Sequence, residues 1–321
     1  MKRKKVWFYI IFINIIIILS GIAFFITKKD FSAGQVEQSR RIGACYADMT
    51  NSYFAVLNNE ISSVIEEQGD VLITRDSLLS QDKQNEQISN MIKTGVDALI
   101  IVPVDWKKIK CALEEARAAG VVIIIVDSPV YDEELVDCTV TSDNYDVGIQ
   151  MANFLKGQKK EARIVLLEQY GPKSAQDRVE GFKSGLSDDD SYHIVAEKVS
   201  GGTIEAAMES MEDIIADKER FDCVFAVNDP CVIGAIAACE KMGMGQGISF
   251  LSTDGSPVGK NMIQQGIMMV SAAQFPTEMG NSAVESMYKI LRGQECEKNI
   301  LVPVKLITQY TINSYDVDKW Q

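Results

Sequence analysis

From Arg41 onward, short unbroken apolar runs alternate with amphipathic stretches of helical period, and this rhythm leaves few folds open. The segment Phe221–Cys239, FDCVFAVNDPCVIGAIAAC, shows the unit. Val224–Val227 is apolar throughout, as in a strand buried on both faces of a helix-covered parallel sheet. The run stops at Asn228-Asp229, and Pro230 opens a helical stretch at a position where its missing N–H costs nothing. Two polar side chains therefore stand at the carboxyl end of a buried strand, the edge where open α/β sheets bind ligands.

The rhythm repeats in two rounds. The first predicts strands at Arg41–Ala47, Val71–Thr74, Ala98–Val102, Val121–Val126 and Cys138–Thr141. Its helices are predicted at Ser52–Glu67, Gln84–Lys93, Asp105–Ala119 and Tyr145–Lys156. The second round predicts strands at Arg163–Leu167, His193–Val199, Val224–Val227, Ile248–Ser252 and Met268–Ala272, with helices between them, and a terminal strand at Val304–Thr311. Strands separated by helices of 10–15 residues imply βαβ units and parallel sheets. The fold class is therefore α/β, with two doubly wound parallel-sheet lobes.

The region before Arg41 is of another kind. Val6–Ile26 is almost wholly apolar, long enough for the ~20 helical residues that span a bilayer core. Lys2, Arg3, Lys4 and Lys5 precede it, so the positive-inside rule puts residues 1–5 in the cytoplasm and everything after Ile26 outside. No cysteine follows the run to accept a lipid. We expect an uncleaved single-pass anchor at 6–26 in the cell membrane, with a cleaved signal as the alternative, and a polar linker at 27–40.

Composition excludes several functions. The 321 residues carry a net charge of −13, which argues against nucleic acid, whose phosphates require a basic face. The seven cysteines are odd in number and contain no CxxC, so neither a zinc site nor a disulfide framework is legible. His193 is the only histidine and begins a predicted strand. No nucleophile, metal or cofactor constellation appears, and the residues point to binding without catalysis.

The strand exits carry the functional signal. They present Asn51 with Tyr53 and Phe54, then Asp127, Asn228, Asp254 and Gln274, while Arg178 begins the helix after Arg163–Leu167. Ser52 can cap the first helix, and Asp105, Asp143 and Asn144 suit caps or turns. Carboxylates accept hydroxyl hydrogens, amides donate and accept, arginine donates in a fixed fork, and aromatic faces pack on C–H surfaces. Such a mixture suits a small polyhydroxylated solute.

The stretches TNSYF, VDALIIVPVD, IIIVDSP, TSDNYDVG, SAQDRVEGF, VFAVNDP, LSTDGSP and SAAQFPTEMG resemble the ribose-type branch of the periplasmic sugar-binding proteins, the type I solute-binding fold shared with the LacI effector domain. The resemblance implies two lobes, 41–142 plus 275–303 and 143–274 plus 304–321, joined by a hinge of three crossovers and closing on a ligand. It implies ligand-binding roles for Asn51, Tyr53, Phe54, Asp127, Arg178, Asn228, Asp254 and Gln274. This sequence departs from the ribose pattern at Val102, Ser128, Gly202 and Thr253, where specificity is expected to differ. The partner implied is the permease of an ABC importer, with a membrane sensor kinase as the alternative. An enzyme or a transcription-regulator effector domain fits less well.

Overall fold

The computed structural model describes residues 39–244 and 246–321. The predicted membrane span and the cytoplasmic tail lie outside them. Among the described residues, no helix is long and apolar enough to cross a membrane.

The first sheet contains β1 (Arg41–Tyr46), β2 (Val71–Asp76), β3 (Ala98–Ile101), β4 (Val122–Asp127), β5 (Cys138–Thr141) and β11 (Asn299–Leu301). Their order is β11-β5-β4-β3-β1-β2, with every pairing parallel. The second sheet contains β6 (Ala162–Glu168), β7 (Tyr192–Val199), β8 (Cys223–Ala226), β9 (Ser249–Asp254), β10 (Val270–Ala273) and β12 (Lys305–Thr308). Its order is β12-β10-β9-β8-β6-β7, and only β12 runs antiparallel. The chain passes between the sheets three times, after β5, β10 and β11.

Nine helices lie among the described residues: α1 (Ser52–Glu67), α2 (Gln81–Lys93), α3 (Lys110–Ala118), α4 (Asn144–Gln158), α5 (Lys173–Leu186), α6 (Ile204–Ala216), α7 (Asp229–Lys241), α8 (Pro257–Gln264) and α9 (Pro276–Leu291). They cover both sheets, which is why the central strands are apolar at every position: β3 and β8 are buried throughout. The first lobe has two apolar layers, one on each side of its sheet. The second has one continuous core, with Phe182 stacked on Phe225 at 4.3 Å between ring centroids.

Three expectations are corrected. The helix predicted from Asp105 begins at Lys110, because the Asp105 carboxylate accepts from the Lys107 and Lys108 amides and closes a turn instead. Asn51, not Ser52, caps α1, accepting from the Tyr53 amide at 3.0 Å. The predicted strand at Val304–Thr311 shrinks to β12, and β11 had no legible signal because three edge residues with mostly exposed side chains carry no pattern.

Candidate functional site: a cleft between two sheets

Both sheets reverse their strand order at one point, between β1 and β3 in the first and between β6 and β8 in the second. Open α/β sheets leave a crevice at the carboxyl ends of the strands flanking such a switch. Here the two crevices face each other. Ala47-Asp48 after β1, Val102-Pro103 after β3, Gln169 after β6 and Val227-Asn228 after β8 line one cavity. Asn51, Tyr53, Phe54, Asp127, Arg178, Asn228, Asp254 and Gln274 all stand on its wall, five strand exits and two helix starts brought together.

Arg178 is the best-anchored of these. Its Nε donates to Asn144 Oδ1 at 2.8 Å, one terminal nitrogen to the Val227 carbonyl at 2.8 Å, and the other to Gln274 Oε1 at 3.0 Å. Gln274 in turn donates to Ser142 Oγ at 3.3 Å. Ser142, Asn144 and Gln274 belong to the segments that cross between the sheets, so the hinge itself aims the guanidinium. Asn144 was expected as a cap or turn former. Asp143 is the cap of α4, and Asn144 is buried as a partner of Arg178.

The two carboxylates at the strand exits are held under strain. Asp127 has φ +70° and Asp254 φ +126°, conformations that residues other than glycine seldom adopt. Such strain persists where the surroundings over-determine it, and it clusters at ligand sites. Burial raises the Asp127 carboxyl above the usual carboxylate range, with Arg178, Tyr53 and Gln274 pulling it back. Burial, with Asp229 adding to it, pushes Asp254 well above that range, against the pull of Arg178.

Asp229 does not reach the cavity. Its carboxylate is fully buried and accepts from the Ser256 amide (2.8 Å), Ser256 Oγ (2.6 Å) and Ser271 Oγ (2.9 Å). Its own amide donates to Asp254 Oδ2 at 3.3 Å. It therefore braces Asp254 from behind. Asn228 caps α7 through the Cys231 amide and donates to the Gly202 carbonyl at 3.1 Å.

Of the four positions expected to set specificity, Val102 and Gly202 line the cavity. Gly202 has φ +84°, and a Cβ there would come within 2.6 Å of Gln169. Gln169 thus fills the space a larger side chain would need, and it was not singled out from the sequence although it follows β6. Thr253 and Ser128 are fully buried and off the cavity wall. Thr253 Oγ1 finds no partner.

Ser128 joins the lobes. Pro172, at the N-cap of α5, has no side-chain oxygen to offer, and Ser128 Oγ accepts from the Ser174 amide at 3.1 Å in its place. Beside it the Trp106 amide donates to the Gly171 carbonyl at 3.0 Å, and Gly171 sits so close that a Cβ would lie 2.4 Å from the Val104 oxygen. One edge of the cleft is shut by these contacts. Ser128→Ala is expected to lower stability by about 1 kcal/mol, the ordinary cost of losing a helix cap. Urea melts would show this, with Ser128→Thr close to the parent; an unchanged midpoint would mean the cap carries no weight.

The comparisons agree with this geometry. Residues 42–295 match the periplasmic binding protein domain. The ribose import binding protein RbsB of Bacillus subtilis (strain 168) is 28% identical over 284 residues, which is 88% of this chain and 88% of that protein. The D-xylose-binding periplasmic protein of Escherichia coli (strain K12) is 25% identical over 254 residues, 74% of this chain and 76% of that one. Among solved structures, a galactofuranose binding protein superimposes with a TM-score of 0.81 at 26% identity, covering 86% of this chain and 96% of that one. A Caulobacter myo-inositol binding protein, at 22% identity, shares the fold with a TM-score of 0.82, covering 89% of this chain and 99% of its own. With the family match spanning most of the sequence and two parallel-sheet lobes enclosing one polar cleft, the chain belongs to the periplasmic binding protein domain family.

Proposed function

We propose that this chain is an extracytoplasmic solute-binding protein for a sugar or sugar-like polyhydroxylated ligand, serving as the receptor of an ABC importer. The observation that carries this reading is the convergence of Asn51, Tyr53, Phe54, Asp127, Arg178, Asn228, Asp254 and Gln274, drawn from both lobes, on one cavity. Asp127, Asp254 and Gln274 would accept or exchange hydroxyl hydrogen bonds. Arg178 would donate through the N–H groups its partners leave free, and Tyr53 and Phe54 would pack on the C–H side of a ring. Nothing in the arrangement requires a proton transfer or a nucleophile.

Relatives named for ribose and xylose, and structural neighbours named for galactofuranose and myo-inositol, support the ligand class. The apolar run Val6–Ile26, with its basic flank, favours a membrane-tethered receptor. A tether without a lipid-accepting cysteine suits a sensor-kinase partner as a second reading. Deleting the gene separates the two, since loss of uptake supports import and loss of ligand-induced transcription with uptake intact supports sensing.

The test of the binding reading is a thermal-shift screen of the full chain against sugars, polyols and acidic or basic metabolites. A true ligand at 100 times its Kd adds roughly 2.7 kcal/mol of stability. A screen in which only charged metabolites shift the melt would overturn the proposal.

A further inference from the structure

The cleft is shut along the edge where Ser128 meets Ser174 and Trp106 meets Gly171, but not along the other. There a second, more open cavity lies between the start of α1 and the starts of α6, α7 and α8. Asp48, Asn51, Gly202 and Asp254 line it as well as the inner cavity, so the two spaces share a wall. The remainder of its lining is mixed, with Thr50, Ser52, Thr203, Glu205, Asp229 and Ser256 beside an apolar set. Ile204, Ile233, Pro257, Val258 and Trp320 give it an apolar floor, and Ile204 and Val258 are 40% and 52% exposed.

Trp320 is held there by an unusual anchor. Its ring stands edge-on to Tyr53 of the inner site at 5.6 Å between centroids. The neighbouring Gln321 donates to the backbone oxygens of Asp254 (3.0 Å) and Gln274 (2.5 Å), two residues of the inner wall. Lys260, only 1% exposed, donates to the Asp316 carbonyl at 2.7 Å, to the Lys319 carbonyl and to Gln321 Oε1 at 3.3 Å. Burying a lysine is costly unless it is fully hydrogen-bonded. Here that cost goes into fixing the segment that carries the indole across from the second lobe to a residue of the first.

We propose that the solute has two linked rings: a polyhydroxylated ring in the inner cavity, and a second ring, joined through a glycosidic oxygen, lying in the mouth against Trp320. The ligand class is therefore a glycoside or disaccharide. This rests on the sugar-binding reading above and extends it. An indole offers a flat apolar face to the C–H side of a sugar or to an aryl aglycone, and the four residues common to both linings set the two spaces side by side.

Isothermal titration of the full chain with methyl and phenyl glycosides of D-ribose, D-xylose, D-glucose and D-galactose, and with lactose and cellobiose, tests this. For the sugar that fits the inner cavity, the phenyl glycoside or the disaccharide is expected to bind at least ten-fold tighter than the methyl glycoside. Trp320→Ala should remove that advantage while shifting the methyl glycoside less than three-fold, and Trp320→Phe should keep most of it. Equal affinity of methyl and two-ring forms, survival of the advantage in Trp320→Ala, or an equal loss for both forms in that variant would each overturn the two-ring proposal and leave the sugar-binding reading standing. If no member of the panel binds while a free sugar or polyol shifts the melt in the screen above, the two-ring proposal falls and the sugar-binding reading stands.

Discussion

Arg178→Ala is expected to lower ligand affinity by about 10- to 100-fold, the ~1.5–3 kcal/mol that hydrogen bonds to a charged group contribute. It is also expected to destabilise the unliganded protein. Removal of the guanidinium leaves the Val227 carbonyl and Asn144 Oδ1 without the donor each now has, and takes from Asp127 and Asp254 the cation that holds their carboxyl groups down. Breaking one side of a buried charge cluster costs about 3–5 kcal/mol. Arg178 is itself well buried, at 5% exposure, so solvent screening offers little relief. Arg178→Lys should keep part of the stability but not the affinity, because an ammonium cannot serve three partners set in a plane. Titration calorimetry and urea unfolding on the same preparations would separate the two losses. Affinity within three-fold of the parent, with the fold intact, would remove Arg178 from the site.

The other large effect is expected at the crossing of α4 and α5. Gly148 and Gly181 face each other there. A Cβ on Gly148 would lie 2.2 Å from the Arg178 oxygen, and one on Gly181 would lie 2.0 Å from the Tyr145 oxygen. Both clashes are with backbone, which cannot swing aside. Glycine to alanine inside a helix ordinarily stabilises by roughly 1 kcal/mol. At Gly148 and Gly181 the sign should reverse, with a loss of about 1–3 kcal/mol or more from overpacking. The helices would separate just where Asn144 on α4 holds Arg178 on α5, so affinity should fall along with stability. Gly157, near the end of the same α4, has nothing within 4 Å of its added Cβ. Gly157→Ala therefore serves as the control and should raise the melting midpoint slightly. Equal effects at Gly148 and Gly157 would refute the close-packing account.

The two α/β lobes were readable because period is a local property. A β-branched run such as Val121–Val126 has few alternatives to a buried strand, and Ser52–Glu67 shows its helical face without reference to anything distant. The strand-exit residues were readable for a related reason. Parallel sheets place ligands at the carboxyl ends of their strands, so Asp127, Asn228 and Asp254 could be named from position alone. Arg178, which does not follow a strand directly, could be named as the start of the helix after Arg163–Leu167, and the resemblance to sugar-binding proteins implied the same role.

Other features depend on segments far apart in the chain. Asp229 is adjacent to Asn228, and the sequence offered both as cleft residues. The turn into α7 instead sends Asp229 inward to Ser256 and Ser271. Ser128 read as a pocket position, yet the approach of the second lobe makes it the cap of a helix that begins 45 residues later with a proline in the capping position. Trp320 and Gln321 carried no signal, because their place beside Tyr53 and Asp254 is set by Lys260, some 60 residues earlier.

The sequence alone determined the class of fold, the direction of its strands and the edge on which polar side chains would gather, since each follows from periodicity and from the backbone's need to pair its own hydrogen bonds. The tertiary structure decided which of those side chains face a shared space, which brace them from behind, and which edge of the cleft is shut. Those outcomes depend on distances between residues dozens to hundreds of positions apart, and such distances exist only once the two lobes have packed.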